Sequence, residues 1–328
     1  AGTIPLHWFH CFPARSARGA EVIPFFGLKQ GLDMDTVGIV GLGVMGSNCA
    51  KKLMESGVPV AGYDPYPPAV KRASEAGVSM CGSPAELAGK AGVILMFVPG
   101  PADTEKVVLG EGGIASGAPE GTVVVNMSTV DPGVNIRMGE ALAPKGIDFV
   151  DAPVMGSPSG VGSWAFALGG SDEALAKIKD VLLVLSGSEE KLFHIGPLGH
   201  GNKLKLLNNM MLGAIDACAA ETMALAEHMG LSQKTLIDVA VAANARVLSN
   251  AYKEIGTRIA EGRYDEPTFT VDMLIKDNKL CLDMAREYGA PLILGAAVDY
   301  VHRMVSVQGY GAKDHAVSWK AVAKNWKA

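Results

Sequence analysis

Three glycines at fixed spacing are the first residues that could bind a ligand. Gly41, Gly43 and Gly46 follow a run of apolar residues in the pattern GxGxxG, and a helical pattern begins directly after them. Glycine permits a tight turn, close approach of the backbone to a diphosphate, and close packing of helix on strand. Free N–H groups at the beginning of the helix would bind phosphate oxygens. The predicted cofactor contacts of this loop are Gly41, Leu42, Gly43, Val44, Met45 and Gly46.

An acidic residue after the next apolar run indicates which dinucleotide would bind. Asp64 lies 23 residues after Gly41, the spacing at which a carboxylate accepts hydrogen bonds from the ribose hydroxyls of NAD. A 2′-phosphate would favour an arginine there, and the nearest basic residues are Lys71 and Arg72. The sequence therefore predicts NAD in preference to NADP. The alternative is a glycine turn in a domain that binds no ligand.

A lysine and an asparagine share one predicted helix, and the amine of the lysine could transfer a proton. Lys205 and Asn209 are four residues apart in a strongly apolar stretch, so both side chains point from one helix face. An ammonium beside so much hydrocarbon is unfavourable unless it is solvated, paired or used in a reaction. Burial would lower the pKa of the amine and suit it to acid–base work. The pattern alone also permits a lysine that extends its ammonium to solvent.

Two kinds of periodicity define the elements that must position these residues. Short apolar runs alternate with helical segments up to about residue 196, which predicts βαβ units in a doubly wound parallel sheet. The later sequence is helical throughout. The predicted fold class is α/β, with a Rossmann-type N-terminal domain followed by an all-helical C-terminal domain. The predicted divisions are a leader at 1–34, a dinucleotide-binding domain at 35–197 and a substrate or oligomerisation domain at 198–328.

Individual elements follow from the same periodicities. The predicted strands are Val37–Leu42, Val58–Tyr63, Val93–Val98, Val123–Met127 and Ile147–Asp151. Helices in the first domain are predicted at Asn48–Glu55, Ala69–Ala76, Pro84–Ala88 and Gly133–Ala143. Helices in the second domain are predicted at Lys203–Met229, Ser232–Asn244, Ser249–Glu261, Asp272–Tyr288, Pro291–Gln308 and Asp314–Trp326.

Composition excludes several classes of function. The 328 residues carry a formal net charge of −5 and only 6% are aromatic, which argues against binding to nucleic acid. No apolar run approaches the ~20 residues of a membrane span. The five cysteines form no zinc pattern and are interpreted as small buried residues of a protein in a reducing compartment. No metal site is predicted. The expected location is the cytoplasm, or the mitochondrial matrix if residues 1–33 are a presequence.

Five motifs in order resemble the β-hydroxyacid dehydrogenase family, the relatives of 3-hydroxyisobutyrate dehydrogenase. They are Gly41-x-Gly43-x-x-Gly46, Asn126-x-Ser128-Thr129, Asp151-Ala-Pro-Val, Gly-x-Gly-x-x-x-Lys205-x-x-x-Asn209 and Lys276-Asp277. The resemblance spans nearly the whole chain from Val37 onward. It implies an oxidoreductase that uses a nicotinamide cofactor.

The resemblance also implies a role for each matching residue. Lys205 matches the catalytic lysine beside the substrate oxygen, and Asn209 matches the amide that holds the substrate and orients that lysine. The further cofactor contacts that the resemblance implies are Val98, Pro99, Thr129 and Lys276. The substrate contacts that it implies are Ser128, Met155, Gly156 and Ser157.

This chain departs from the family's pattern after Asp151. Met155 stands where a serine usually donates a hydrogen bond to the substrate carboxylate, and Ser157 is a candidate replacement two residues later. Trp164 adds a bulky side chain to the same segment. These departures bear on the identity of the substrate and not on the type of reaction.

The expected function is NAD-dependent hydride transfer to or from a short 3-hydroxy acid or the corresponding semialdehyde, with Lys205 as general acid and base. Two alternatives stay open: a decarboxylating enzyme of the 6-phosphogluconate dehydrogenase type, and a non-catalytic dinucleotide-binding scaffold. The expected partner is this small molecule, with no nucleic acid and no membrane. Methionine-rich helical faces also favour a homodimer or homotetramer.

Overall fold

A computed structural model describes residues 35–324 of the chain. Three predictions therefore lie outside the described residues: the leader at 1–34, the burial of Cys11, and the end of the last helix at Trp326. Among the described residues, no helix is both long enough and apolar enough to cross a membrane. The same residues contain no cluster of three or more side chains that could hold a metal ion.

One nine-stranded sheet forms the first half of the molecule. The strands are β1 (Val37–Val40), β2 (Val60–Tyr63), β3 (Ser79–Met80), β4 (Val93–Met96), β5 (Val123–Asn126), β6 (Asp148–Asp151), β7 (Val154–Met155), β8 (Ala165–Gly169) and β9 (Leu192–Gly196). Six parallel strands run in the order β3-β2-β1-β4-β5-β6, and β8 then pairs antiparallel with β6. The strand order reverses beside β1, so a crevice opens at the carboxyl ends of β1 and β4.

Helices cover both faces of this sheet. They are α1 (Val44–Glu55), α2 (Pro67–Glu75), α3 (Pro84–Ala88), α4 (Pro101–Leu109), α5 (Ile114–Gly117), α6 (Pro132–Leu142) and α7 (Asp172–Ser186). One apolar core packs α1 and α7 on one face, and a second core packs α3 and α6 on the other. Strands covered on both faces read as continuous apolar runs, which explains why β1, β2, β4, β5 and β6 are the strands that the sequence predicts.

Several elements of the first half were not predicted from the sequence. Strands β3 and β7 have two residues each, and β9 exposes Phe193 and Ile195 at the edge of the sheet. Helices α4, α5 and α7 were also missed, although the Ser171 hydroxyl caps α7 by accepting a hydrogen bond from the Ala174 N–H. The prediction is therefore correct for five of the six parallel strands, and it is incomplete at both edges, where β3 and the strands beyond β6 were missed.

The second half of the molecule is helical, as predicted. Its helices are α8 (His200–His228), α9 (Gln233–Ala242), α10 (Asn250–Glu261), α11 (Val271–Glu287), α12 (Ile293–Val305) and α13 (Ser318–Lys324). Helix α8 packs against all five of the others and against β8, so it joins the two halves. The prediction of one helix to Gln308 is wrong at its end, because a π-type turn replaces the α-helix after Val305 and Gly309 has a φ of 92°.

Two smaller predictions need correction. The helix predicted from Asp314 begins at Ser318, because a 3₁₀ turn at His315–Val317 precedes it. Three of the cysteines are buried as predicted, whereas Cys218 is exposed on α8.

Candidate active site

The glycine-rich loop between β1 and α1 has the geometry that binds a diphosphate. Gly41 has a φ of +89°, and a Cβ there would lie 2.0 Å from the Phe97 carbonyl oxygen. A Cβ on Gly46 would lie 1.9 Å from the Gly41 carbonyl oxygen, whereas no atom lies within 4 Å of the Cβ position on Gly43. Gly43 caps α1 without a side-chain hydrogen bond, so the first N–H groups of the helix face open space. These observations fit a dinucleotide phosphate on this loop.

Asp64 follows β2 and lies beside the same loop. Its Oδ2 accepts a hydrogen bond of 2.7 Å from the Leu42 N–H, and its Oδ1 accepts one of 2.8 Å from the Tyr66 N–H. The carboxylate is therefore fixed between the glycine loop and the turn after β2. Lys71 and Arg72 are exposed on α2, one helical turn further on.

The loops after β4 and β5 form the opposite wall of the crevice. The Ser128 hydroxyl is buried and accepts a hydrogen bond of 2.8 Å from the Val98 N–H. This contact joins the two loops, so the structure places Ser128 as a brace between them. Lys276, from α11, donates to the Thr129 carbonyl at 2.9 Å and to the Pro99 carbonyl at 3.3 Å. The helical domain thus reaches across the crevice to both loops.

The Lys205 amine points into the molecule and away from bulk water. Its Nζ donates a hydrogen bond of 2.9 Å to the Val154 carbonyl oxygen, at the beginning of the segment that carries Met155, Gly156 and Ser157. Burial lowers the pKa of this amine; the Asp277 carboxylate opposes that effect, and the Lys276 ammonium adds to it. At physiological pH, a larger fraction of this amine is therefore uncharged than in an exposed lysine.

Asn209 is buried one turn after Lys205, and Asp277 is its direct partner. The Asn209 amide donates a hydrogen bond of 2.6 Å from Nδ2 to Asp277 Oδ2, and Lys276 Nζ lies 3.1 Å from Asp277 Oδ1. Asp277 thus links Asn209 to Lys276 and also acts on the charge of Lys205. Sequence reasoning noted Asp277 only as the neighbour of Lys276, although the Lys-Asp pair was the signal that could have identified it.

Trp164 supports the segment that contains the predicted substrate contacts. The indole is fully buried, and its Nε1 donates a hydrogen bond of 2.7 Å to the Ser157 carbonyl. A Cβ on Gly156 would lie 2.6 Å from Trp164 Cδ1, so the ring requires glycine at that position. Ser157 is exposed, and its hydroxyl lies 3.3 Å from the Ser159 hydroxyl. Trp164, whose orientation the sequence did not predict, therefore lies beneath this segment.

Asp151 and Asn202 are two contributors that the sequence analysis did not select. Asp151 is fully buried at the end of β6, and its carboxylate accepts 2.7 Å and 2.6 Å hydrogen bonds from the Gly199 and Asn202 N–H groups. Asn202 Oδ1 accepts from the Val130 N–H at 2.9 Å. Burial raises the pKa of Asp151 to about 6, although the backbone hydrogen bonds oppose it. Asp151 and Asn202 lie inside two of the five motifs that resemble the family, and this position was the signal that could have identified them.

A second buried carboxylate lies deep in the helical domain. Asp216, on α8, accepts hydrogen bonds at 2.7 Å from His315 Nδ1, at 3.0 Å from His302 Nε2 and at 3.0 Å from the Ser318 hydroxyl. The fully buried carboxylate alone would have a raised pKa. The two histidines outweigh that effect, and the pKa falls to about 2. This cluster lies outside the crevice.

The chain as a whole matches known dehydrogenases. Residues 36–196 match the family described as the NAD binding domain of 6-phosphogluconate dehydrogenase. Residues 199–322 match the family described as the NAD-binding region of NADP-dependent 3-hydroxyisobutyrate dehydrogenase. The chain is 34% identical to L-threonate dehydrogenase of Cupriavidus necator over 283 residues, which cover 85% of this chain and 93% of that protein.

Further relatives agree with this assignment. Mitochondrial 3-hydroxyisobutyrate dehydrogenase of Homo sapiens is 30% identical over 284 residues, which cover 85% of this chain and 84% of that protein. The crystal structure of 3-hydroxyisobutyrate dehydrogenase from Salmonella typhimurium superposes with a TM-score of 0.79 at 28% identity, covering 88% of this chain and 99% of that chain. The chain belongs to the β-hydroxyacid dehydrogenase family. It is an NAD(P)-dependent hydroxyacid dehydrogenase.

Proposed function

We propose that this protein uses Lys205 as general acid and base in hydride transfer between a nicotinamide cofactor and a short 3-hydroxy acid or its semialdehyde. The observation that carries the proposal is the buried Lys205 amine, held 2.9 Å from the Val154 carbonyl beside the substrate segment. The bound nicotinamide supplies the hydride acceptor or donor. The residues of the chain bind and orient the reactants and move one proton.

The protonation state of Lys205 sets the direction in which it can act. As an ammonium it donates a proton to the oxygen of an aldehyde that is being reduced, and as an amine it accepts the proton of an alcohol that is being oxidised. The lowered pKa makes the neutral amine more accessible than it is in an exposed lysine. The 2.6 Å hydrogen bond between Asn209 and Asp277 holds α8 against α11 at this point.

The substrate segment supports a small acid as the reactant. Gly156 and Ser157 are exposed beside the Lys205 contact, so the N–H groups and the Ser157 hydroxyl can donate to a carboxylate in place of the serine that Met155 replaces. Relatives are named for acids of this kind: L-threonate, 2-(hydroxymethyl)glutarate and 3-hydroxyisobutyrate. A short acid with a hydroxyl group on the carbon that loses the hydride is therefore the substrate class.

NAD is the proposed cofactor in preference to NADP. Asp64 holds a carboxylate beside the glycine loop, where it can accept from ribose hydroxyls and would repel a 2′-phosphate. Titration of the protein with NADH and NADPH, followed by quenching of tryptophan fluorescence, tests this choice. Tighter binding of NADPH would contradict it.

A second copy of this chain is the proposed protein partner, in a homodimer or homotetramer. The helical domain exposes large apolar side chains that a monomer leaves in water, among them Met211, Met229, Leu294, Tyr300 and Val307. Sedimentation velocity measures the assembly, and a monomer at micromolar concentration would contradict this proposal.

The proposed location is the cytoplasm, or the mitochondrial matrix if residues 1–33 act as a presequence.

Replacement of Lys205 tests the proposed chemistry. We expect Lys205→Met to lower kcat for semialdehyde reduction by roughly a thousandfold, because the alkoxide loses its proton donor. Binding of NADH should stay within about twofold of the wild type, since the amine acts on the substrate oxygen. Lys203→Met is the matched control: it changes the same residue type on the same helix, where Lys203 Nζ lies 5.6 Å from the centre of the Tyr288 ring.

The same assay separates the alternatives. Full activity in Lys205→Met would refute the proposed role of the lysine. Binding of NADH by the wild type without turnover of any C3 to C5 hydroxy acid or semialdehyde would favour a scaffold. Release of CO₂ during oxidation would favour the 6-phosphogluconate type.

A further inference from the structure

Two short segments of the chain meet twice at the base of the crevice. The first segment runs from Asp151 to Val154, and the second runs from Gly199 to Lys205. At one end, the Asp151 carboxylate accepts from the backbone of the second segment at 2.7 Å and 2.6 Å. At the other end, Lys205 Nζ donates to the Val154 carbonyl at 2.9 Å. The two contacts close a ring between the β6–β7 segment and the beginning of α8, so one contact constrains the other.

Glycines make room for the Asp151 contact. A Cβ on Gly169, which lies opposite on β8, would come within 2.2 Å of Asp151 Oδ1. A Cβ on Gly201 would lie 2.2 Å from the Ala167 carbonyl and 3.0 Å from Asp151 Oδ2. The first turn of α8 is therefore pressed onto the end of the sheet, and Asp151 fills the space between them.

Asn202 extends the contact to the cofactor side of the crevice. Its backbone N–H donates to Asp151, and its side-chain oxygen accepts from the Val130 N–H at 2.9 Å. Val130 follows Thr129, whose carbonyl accepts the hydrogen bond from Lys276. The position of the first turn of α8 is thus tied to the loop after β5, which Lys276 also contacts.

The Asp151 carboxylate is energetically unfavourable for a contact that has only a structural role. The group is fully buried, and no cationic side chain hydrogen-bonds to it or forms an ion pair with it among the described residues. Burial without such a partner raises its pKa, so its ionised form lowers the stability of the fold at neutral pH. A group of this kind is retained where its geometry matters more than its contribution to stability.

We propose that Asp151 is a positioning residue for the reaction, which fixes the first turn of α8 and thereby holds the Lys205 amine beside the substrate segment. The inference rests on the proposed role of Lys205. Asp151 acts through the helix and touches neither substrate nor cofactor. An amine displaced by even about 1 Å from the reacting oxygen loses much of its effect.

Asp151→Asn is the test, because it keeps the shape of the side chain and removes one of the two acceptor atoms. We expect kcat for semialdehyde reduction to fall roughly tenfold or more, while the Kd for NADH stays within about twofold. The melting temperature should not fall, because the variant removes a buried charge. Asp151→Ala should lower kcat further, since it removes both acceptors. Asp148→Asn is the matched control on the same strand, where Asp148 pairs at the surface with Lys177 at 2.8 Å.

The outcomes separate this inference from the proposed function. Wild-type kcat in Asp151→Asn, with Lys205→Met inactive, would overturn the positioning role and leave the proposed function intact. Full activity in Lys205→Met would refute the proposed function instead. A loss of activity that only follows the unfolded fraction, measured by circular dichroism, would also overturn the positioning role. Should Asp151→Asn fail to fold, Asn202→Ala removes the tie to Val130 and the 3.4 Å contact of the Asn202 amide with Asp151. Unchanged kcat in that variant would then contradict the inference.

Discussion

Asp151 and Asp216 are both fully buried carboxylates, one at the base of the crevice and one in the helical core, and their surroundings differ. Asp216 has two histidines and a serine around it, and its pKa falls to about 2. Asp151 has backbone N–H groups and one amide around it, and its pKa rises to about 6. Partial charges alone therefore do not compensate for burial here, whereas groups that can carry a full positive charge do.

Removal of Asp216 should have the largest effect on stability. Asp216→Ala leaves His302, His315 and Ser318 without their common acceptor inside the helical domain. We expect the free energy of unfolding to fall by about 3–5 kcal/mol, as when one member of a buried ion pair is lost. Urea unfolding measures this change, with Asp238→Asn at the surface of α9 as the control. A loss no larger than that of the control would mean that the histidines are neutral and the cluster is not ionic.

The two carboxylates should give stability opposite dependences on pH. Asp216 has a lowered pKa, so its contribution is present above about pH 4 and is lost as the pH falls towards 2. His315 has a raised pKa, so its contribution is present below about pH 6.5 and is lost as the pH rises through that raised value. Asp151 has a raised pKa of about 6, so its ionisation lowers stability as the pH rises from about 4 to about 6.

Asp151→Asn tests how much of the pH dependence of stability comes from Asp151. Relative to the wild type, the variant should gain up to about 3 kcal/mol between pH 4 and pH 7, because only the wild type ionises a buried group in that interval. Urea unfolding at a series of pH values measures the difference. A difference that does not change with pH would show that Asp151 has the same pKa in the folded and unfolded chains.

The Lys205 amine allows a smaller test of the same principle, because a carboxylate near it opposes the effect of burial. Asp277→Asn removes that charge, so the pKa of Lys205 should fall further. The pH above which semialdehyde reduction declines should move down by about one unit. The pH profile of kcat measures the shift, and Asp283→Asn on the same helix is the control. An unchanged profile would mean that Lys205 does not set this decline.

The sequence predicted the parts of the site that short-range patterns encode. The GxGxxG loop after an apolar strand fixed the phosphate-binding turn, and the spacing of Lys205 and Asn209 placed both on one helix face. Asp64 was found by its distance along the chain from Gly41. Each of these inferences needs only local geometry or a strand followed by a helix.

The contributors that the sequence missed depend on contacts between distant segments. Asp151 meets Asn202 across 51 residues, and Asn209 meets Asp277 across 68 residues. Hydrophobic periodicity gives no information about such a contact, so the sequence indicated only that Asp151 ends a strand. The burial of Trp164 was equally hidden, because only its packing against Phe166 shows which way the indole points. The missed strands β7 to β9 lie beside this segment, where the alternation of strand and helix stops.

Helix α8 carries Lys205, Asn209 and Asp216 on one stripe, since the 11 residues from Lys205 to Asp216 correspond to just over three whole turns. Lys205 is thus the outermost member of a line of side chains whose innermost member sits in the helical core about 16 Å away. The amine owes its lowered pKa to burial at this outer end of the stripe. An insertion or deletion of a single residue between Lys205 and Asp216 would rotate the stripe by about 100° and turn the Lys205 amine out of the crevice while the core stayed in register.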